Sequence, residues 1–190
     1  MLDNYHAVTV SSVISKVFEL CASDKFYAFF ASHHLQFGFK KNMGCQNAIF
    51  TLQQNYFVQR GSTVYMSALN ASKAFDRVNH SKLFDKLVAR NMPNCILHVL
   101  INWYGKLQSV VRWNGVFSSS FTVTCGVRCH QGGVLSPFLF NIYVDQLIDD
   151  ICSKNVGCYV SKGFFGCIMY ADDLILLSPS VIGLQDMLKS

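Results

Sequence analysis

Two adjacent aspartates, Asp172 and Asp173, interrupt what is otherwise the most apolar stretch of the chain. Cys167-Ile168-Met169-Tyr170 leads into Ala171 and the acid pair, and Leu174-Ile175-Leu176-Leu177 leads out of it. Two short apolar runs on either side of a polar break read as a β-hairpin. The break also stops Phe164 to Leu177 from serving as a membrane span, which needs about 18 uninterrupted apolar residues. Carboxylates set so deep in apolar sequence are costly if buried unpaired. Two arrangements remove that cost. One is a solvated turn, where Asp is common. The other is a hairpin tip that offers its oxygens to a hard divalent cation. The residues by themselves leave both open. The second has a chemical consequence, because magnesium held by carboxylates serves phosphoryl transfer, with two ions roughly 3.5–4 Å apart. Such a site needs a donor from a second segment, and the natural place is the end of a strand beginning at Val64.

That strand, Val64 to Leu69, is rich in β-branched, aromatic and small residues and runs straight into Asn70. Before it, Val8 to Cys21 places Val13, Ile14, Val17, Phe18 and Cys21 at helical spacing, with Ser11 or Ser12 as cap. A second helix is expected from Cys45 to Gln59. After the strand, Ser81 to Arg90 carries Leu83, Phe84, Leu87 and Val88 on one side, Pro93 ends that helix, and Cys95 to Tyr104 begins another. Val110 to Trp113 and Val116-Phe117 flank Asn114-Gly115, a strong hairpin signal. Ser136-Pro137 opens a further helix. Mixed strands and helices with a hairpin, rather than a regular βαβ alternation, point to an α+β fold.

Composition narrows the class. The chain has 190 residues, 51% of them hydrophobic, so bulk disorder is excluded. Only 14% are charged, against roughly 25% in an ordinary soluble domain. We therefore expect a piece of a larger molecule with a face that is normally covered. The net charge of +5 permits an anionic partner without requiring one. Residues 1 to 20 lack the basic start and apolar block of a signal peptide, so an intracellular location, cytoplasmic or nuclear, is expected. Of the eight cysteines, none forms a Cys-x-x-Cys pair. Cys125, Cys129 and His130 cluster without a fourth ligand nearby, which argues against zinc and for reduced thiols used as small core residues.

Several blocks together resemble the reverse transcriptases of non-LTR retrotransposons. Tyr170-Ala171-Asp172-Asp173 is similar to their Tyr-x-Asp-Asp hairpin, and Ala68 through His80 resembles their first palm motif. Gly126-Val127-Arg128, then Gln131 through Pro137, resembles the next. Gln36-Phe37-Gly38-Phe39-Lys40-Lys41 resembles a fingers motif, and Asn4-Tyr5-His6 with Ser15 through Glu19 one further upstream. The blocks stand in family order. An unrelated metal-dependent phosphohydrolase built on Asp172 and Asp173 would leave that order unexplained.

The resemblance implies a right-hand polymerase palm with an antiparallel sheet and part of the helical and hairpin fingers, a partial domain over residues 1–190 with the thumb absent. It implies RNA-templated DNA synthesis from deoxynucleoside triphosphates on a DNA primer, two Mg²⁺ ions and no membrane. Asp172 and Asp173 match the catalytic metal ligands, with the Ala71 carbonyl as a further ligand. Phe75 matches the aromatic under the sugar, and Gln131 and Gly132 match the segment against nucleotide and template. Lys73 and Arg128 are candidates for the nucleotide, and Lys40, Lys41 and Arg77 for phosphate contacts. Three departures stand out. Asn70 occupies the strand-end position where the family carries the third catalytic aspartate, Cys129 and His130 are inserted between Arg128 and Gln131, and His6 replaces an arginine. These departures, with the missing thumb, suggest a decayed or truncated copy: an impaired reverse transcriptase domain, or alternatively a catalytically dead fragment with at most weak nucleic-acid binding.

Overall fold

The computed structural model describes residues 9–57, 61, 63–127, 133–160 and 163–190. In chain order its elements are α1 (Val13–Lys25), a 3-10 turn (Tyr27–Phe30), α2 (Cys45–Phe57), β1 (Tyr65–Asn70), a second 3-10 turn (Phe75–Arg77), α3 (His80–Ala89) and α4 (Asn94–Gly105). Four two-residue strands follow, β2 (Gln108–Ser109), β3 (Arg112–Trp113), β4 (Val116–Phe117) and β5 (Phe121–Thr122). Then come α5 (Ser136–Ser153), β6 (Tyr159–Val160), β7 (Gly163–Phe164), β8 (Cys167–Tyr170), β9 (Asp173–Ser178) and α6 (Val181–Leu188). The residues divide into two units. One takes the chain up to Ala31 together with Phe75–Tyr143, and the other takes Ser32–Ala74 with Val144–Ser190.

The second unit is organised by a sheet of order β1-β9-β8, all antiparallel. Its two apolar runs are continuous rather than alternating because both faces are covered. Cys167, Met169, Leu174 and Leu176 meet Leu35, Ile148, Ile151 and Met187 on one face. Ile168 and Leu177 meet Phe37 and Ala48 on the other. Burial pushes the Cys167 thiol up to about 12, with Cys152 adding to the effect, but Cys21, Cys45, Cys95 and Cys125 are exposed, so among the described cysteines only Cys167 fills the core role expected of them. The seven described cysteines are free. Residues 35 to 37 extend the sheet beyond β8: Met169 N–H donates to the Leu35 carbonyl (2.9 Å) and Phe37 N–H to the Met169 carbonyl (2.7 Å).

The first unit is mainly helical. Asn79 Oδ1 accepts from the Lys82 N–H at 3.0 Å and caps α3. Leu83, Leu87 and Leu100 are fully buried there. Within the predicted stripe of α3, Val88 is instead exposed. Asn114 and Gly115 turn β3 into β4 with φ of 48° and 81°, the left-handed pair that a two-residue hairpin requires.

Helix α1 departs from expectation. Ser12 caps it and it runs on to Lys25, but most of the apolar stripe faces outward, with Val13 76% and Ile14 82% exposed, while Phe18 is half-buried with its ring edge-on to Trp103. The buried positions are Glu19 and Ala22. Glu19 is satisfied in that position, because its carboxylate accepts from the backbone N–H groups of Val134 and Leu135, the latter at 3.0 Å, just ahead of α5. Among the described residues, no helix is long and apolar enough to cross a membrane.

Candidate active site

The acidic hairpin forms as the sequence suggests, with Ala171 and Asp172 as its two-residue turn and Asp173 opening β9. Strand β1 lies antiparallel to β9 in a register that sets Asn70 directly opposite Asp173. Asn70 Nδ2 donates to Asp173 Oδ1 at 3.0 Å. A period of two puts both side chains on one face, since a shift of one residue would separate them. The strand end thus meets Asp173, which is exposed, and Asp172 beside it in the turn is half-buried.

Ala171 is held at φ 55°, a left-handed conformation that is strained for a residue with a side chain. Gln36, fully buried, reaches it from 135 residues away. Its Oε1 accepts from the N–H groups of Ala171 (3.1 Å) and Gly38 (2.8 Å), and its Nε2 donates to the Ala171 carbonyl (3.1 Å). A Cβ added at Gly38 would fall well inside van der Waals contact with Ala171 N, so only glycine lets this backbone come so near. Sequence reasoning placed Gln36 and Gly38 in a fingers block and missed this contact. A glutamine amid apolar and aromatic residues was the available signal. Glu19 was missed in the same way.

The remaining expected residues are distributed as follows. Ala71 and Lys73 follow Asn70 in the same unit, both exposed, and Lys41 is exposed there too. Lys40 is half-buried and its ammonium donates to the His33 carbonyl at 2.6 Å. Burial lowers its pKa, with Asp145 opposing. Phe75 and Arg77 belong to the other unit. Phe75 is half-buried against Phe140, ring centroids 3.9 Å apart, and Arg77 is exposed. Arg128, Cys129, His130, Gln131, Gly132 and the Asn4-Tyr5-His6 block lie outside the described residues.

Asp172 and Asp173 supply hard oxygens at a hairpin tip, and Ala71, an exposed residue, follows Asn70 in the chain. This donor set fits a divalent cation. It is one charge short for two, because position 70 contributes an amide, and the amide's N–H side faces Asp173. Among the described residues no three His, Cys, Asp or Glu side chains cluster as metal ligands.

Residues 2–190 match the family model described as "Reverse transcriptase (RNA-dependent DNA polymerase)". The chain is 31% identical over 155 residues to the "Retrovirus-related Pol polyprotein from type-2 retrotransposable element R2DM" of Drosophila melanogaster, covering 80% of this chain and 14% of that protein. It is 34% identical over 126 residues to the Pol polyprotein of a type-1 retrotransposable element R2 of Nasonia vitripennis, covering 64% of this chain and 12% of that protein. The chain thus spans only a small part of the curated relatives it matches. In fold it is similar to an apo telomerase from Candida tropicalis truncated from its C-terminal domain, with a TM-score of 0.58 at 12% identity, over 93% of this chain and 36% of the other. The mixed helix-and-sheet architecture is that of a reverse transcriptase palm with fingers, and such enzymes use divalent metal. With the whole described sheet and nearly every residue accounted for by one family, the chain belongs to the reverse transcriptases, in the group carried by non-LTR retrotransposons.

Proposed function

We propose that the chain is an RNA-directed DNA polymerase domain, built for template-directed nucleotidyl transfer with two Mg²⁺ ions, and impaired in this copy by Asn70. The observation that carries the reading is Asn70 set against Asp173 across β1 and β9 at 3.0 Å. Magnesium, when bound, supplies the positive charge that steadies the attacking and leaving oxygens of phosphoryl transfer. Asp172 and Asp173 would hold it, with the Ala71 carbonyl as a neutral ligand. Asn70 lends at most an amide oxygen and no charge. That deficit is worth several kcal/mol at a metal centre, on the order of 10²–10⁴ in rate.

RNA template, DNA primer and deoxynucleoside triphosphates are the partners of this reading. Phe75 would lie under the sugar, Gln131 and Gly132 against nucleotide and template, and Lys73 and Arg128 near the triphosphate. Lys41 and Arg77 would contact phosphate. Lys40 has the weakest case among them, since its ammonium already serves the His33 carbonyl.

The hydrogen bond between Asn70 and Asp173 also supports a second reading, a domain that keeps the polymerase fold without its reaction. Primer extension on an RNA template, run beside a salt titration of nucleic-acid binding, separates the two. The unmodified chain should give no detectable extension, and Asn70→Asp alone should not restore it while the Cys129-His130 insertion remains. A misplacement of about 1 Å at a reacting centre costs about 10²-fold. Extension recovered after Asn70→Asp plus deletion of Cys129 and His130 supports the first reading, and its absence supports the second. Binding should weaken steeply with salt, as phosphate contacts do. Robust Mg²⁺-dependent extension by the unmodified chain would overturn the impairment.

A further inference from the structure

We propose that Gln36 is the positioning residue of the acidic hairpin, clamping the Ala171 peptide groups so that Asp172 and Asp173 are presented in one fixed orientation, with Gly38 as the space the clamp requires. The weight of this for function rests on the reading of Asp172 and Asp173 as the cation-holding pair.

The chemistry of a buried glutamine makes the case. A fully buried carboxamide is unfavourable unless its donor and acceptor are both used. Among the described residues Gln36 uses them on two backbone sites, the Gly38 N–H beside it and both the N–H and the C=O of Ala171. Two N–H groups on one side fix which end of the amide is oxygen. The partner is the one residue of the turn in a left-handed conformation. It immediately precedes Asp172. An alanine held left-handed is a strained conformation that persists where surrounding structure enforces it, and Gln36 supplies that enforcement from outside the hairpin.

The rest of the segment is tied to the hairpin by backbone. Leu35 and Phe37 bracket Gln36 and bond to both sides of Met169, two residues before Ala171. The strand ladder thus fixes where Gln36 starts, and the carboxamide fixes where the turn ends. Gly38 lies against Ala171 N closely enough that any side chain would push the turn away. A glutamine that merely filled the core would be replaceable by an apolar residue of equal length. A clamp would not be.

Gln36→Met keeps length and volume while removing all three hydrogen bonds. Gly38→Ala keeps the glutamine and displaces the turn. Amide hydrogen exchange and Mn²⁺ titration on the full chain read both variants. In Gln36→Met, exchange at the Ala171 amide should accelerate about tenfold, the worth of a hydrogen bond or two, while amides in the centre of β9 keep their protection. Mn²⁺ affinity should fall by a similar factor, and Gly38→Ala should reproduce both changes. Unchanged exchange at Ala171 in Gln36→Met overturns the clamp. So does acceleration spread evenly over β8 and β9, which marks a merely structural glutamine. A local change at Ala171 with Mn²⁺ affinity intact overturns its link to the acid pair. Should the unmodified chain bind no Mn²⁺, the cation reading of Asp172 and Asp173 fails, and the exchange pattern alone still decides for or against the clamp.

Discussion

Hairpin β3–β4 turns at Asn114-Gly115, with φ of 48° and 81°, whereas β8–β9 turns at Ala171-Asp172, with Ala171 at 55°. The first has the residues such a turn wants, on strands whose large side chains stay mostly exposed. Its strands are two residues long, and Trp113, Val116 and Phe117 are 60%, 71% and 62% exposed. The second has an alanine where glycine or asparagine would be easier, yet its strands are buried on both faces and a distant glutamine holds the turn. Local chemistry makes one hairpin and tertiary structure makes the other. The strained one carries the acid pair, in keeping with the tendency of strain to collect at functional sites.

The largest effect expected from this contrast is in packing. Leu176, 1% exposed in the centre of β9, should cost about 2–5 kcal/mol on truncation to alanine. Trp113→Ala, despite the larger side chain, should cost within about 0.5 kcal/mol. Urea denaturation measures both, and comparable losses would erase the distinction.

Turn chemistry gives a smaller effect with opposite signs. Gly115→Ala puts a side chain on φ 81° and should destabilise by about 1–2 kcal/mol. Ala171→Gly relieves the same strain and should be neutral or stabilising by up to about 1 kcal/mol, because the more flexible unfolded chain offsets part of the gain. Equal and destabilising results in thermal melts would show that Ala171 is not strained.

Much of this was legible in the sequence, for reasons that differ by element. The strand ending at Asn70, the acidic hairpin and helix α3 follow from apolar runs and turn or cap residues that act over a few positions. Helix α1 was placed well but faced wrongly, because the partner of Glu19 lies more than 100 residues on and leaves no mark in local periodicity. Gln36 was hidden for the same reason. Its partner is 135 residues distant, and only the assembled sheet brings Ala171 within reach.

The smallest effect is on pH. His33 Nδ1 accepts the Leu35 N–H at 3.2 Å, next to the segment that extends the sheet, so protonation there would break the bond. Burial lowers the His33 pKa below its ordinary 6.5, with His34 and Lys40 adding and Asp149 and Asp145 opposing. The folded state therefore binds this proton less readily than the unfolded chain. The stability it contributes is full above about pH 6.5 and declines as pH falls through the lower folded value. Melting between pH 7 and 5 should show a modest fall that His33→Gln reduces, and no such fall in the hairpin β3–β4.

The central claim is that Asp172 and Asp173 form a cation site left one charge short by Asn70. Mn²⁺ titration of the full chain, Asn70→Asp and Asp173→Asn tests it most directly. Weak binding should be tightened about tenfold or more by Asn70→Asp, as an added charge at contact distance requires, and abolished by Asp173→Asn. An affinity indifferent to Asn70→Asp, or surviving Asp173→Asn, would contradict the account.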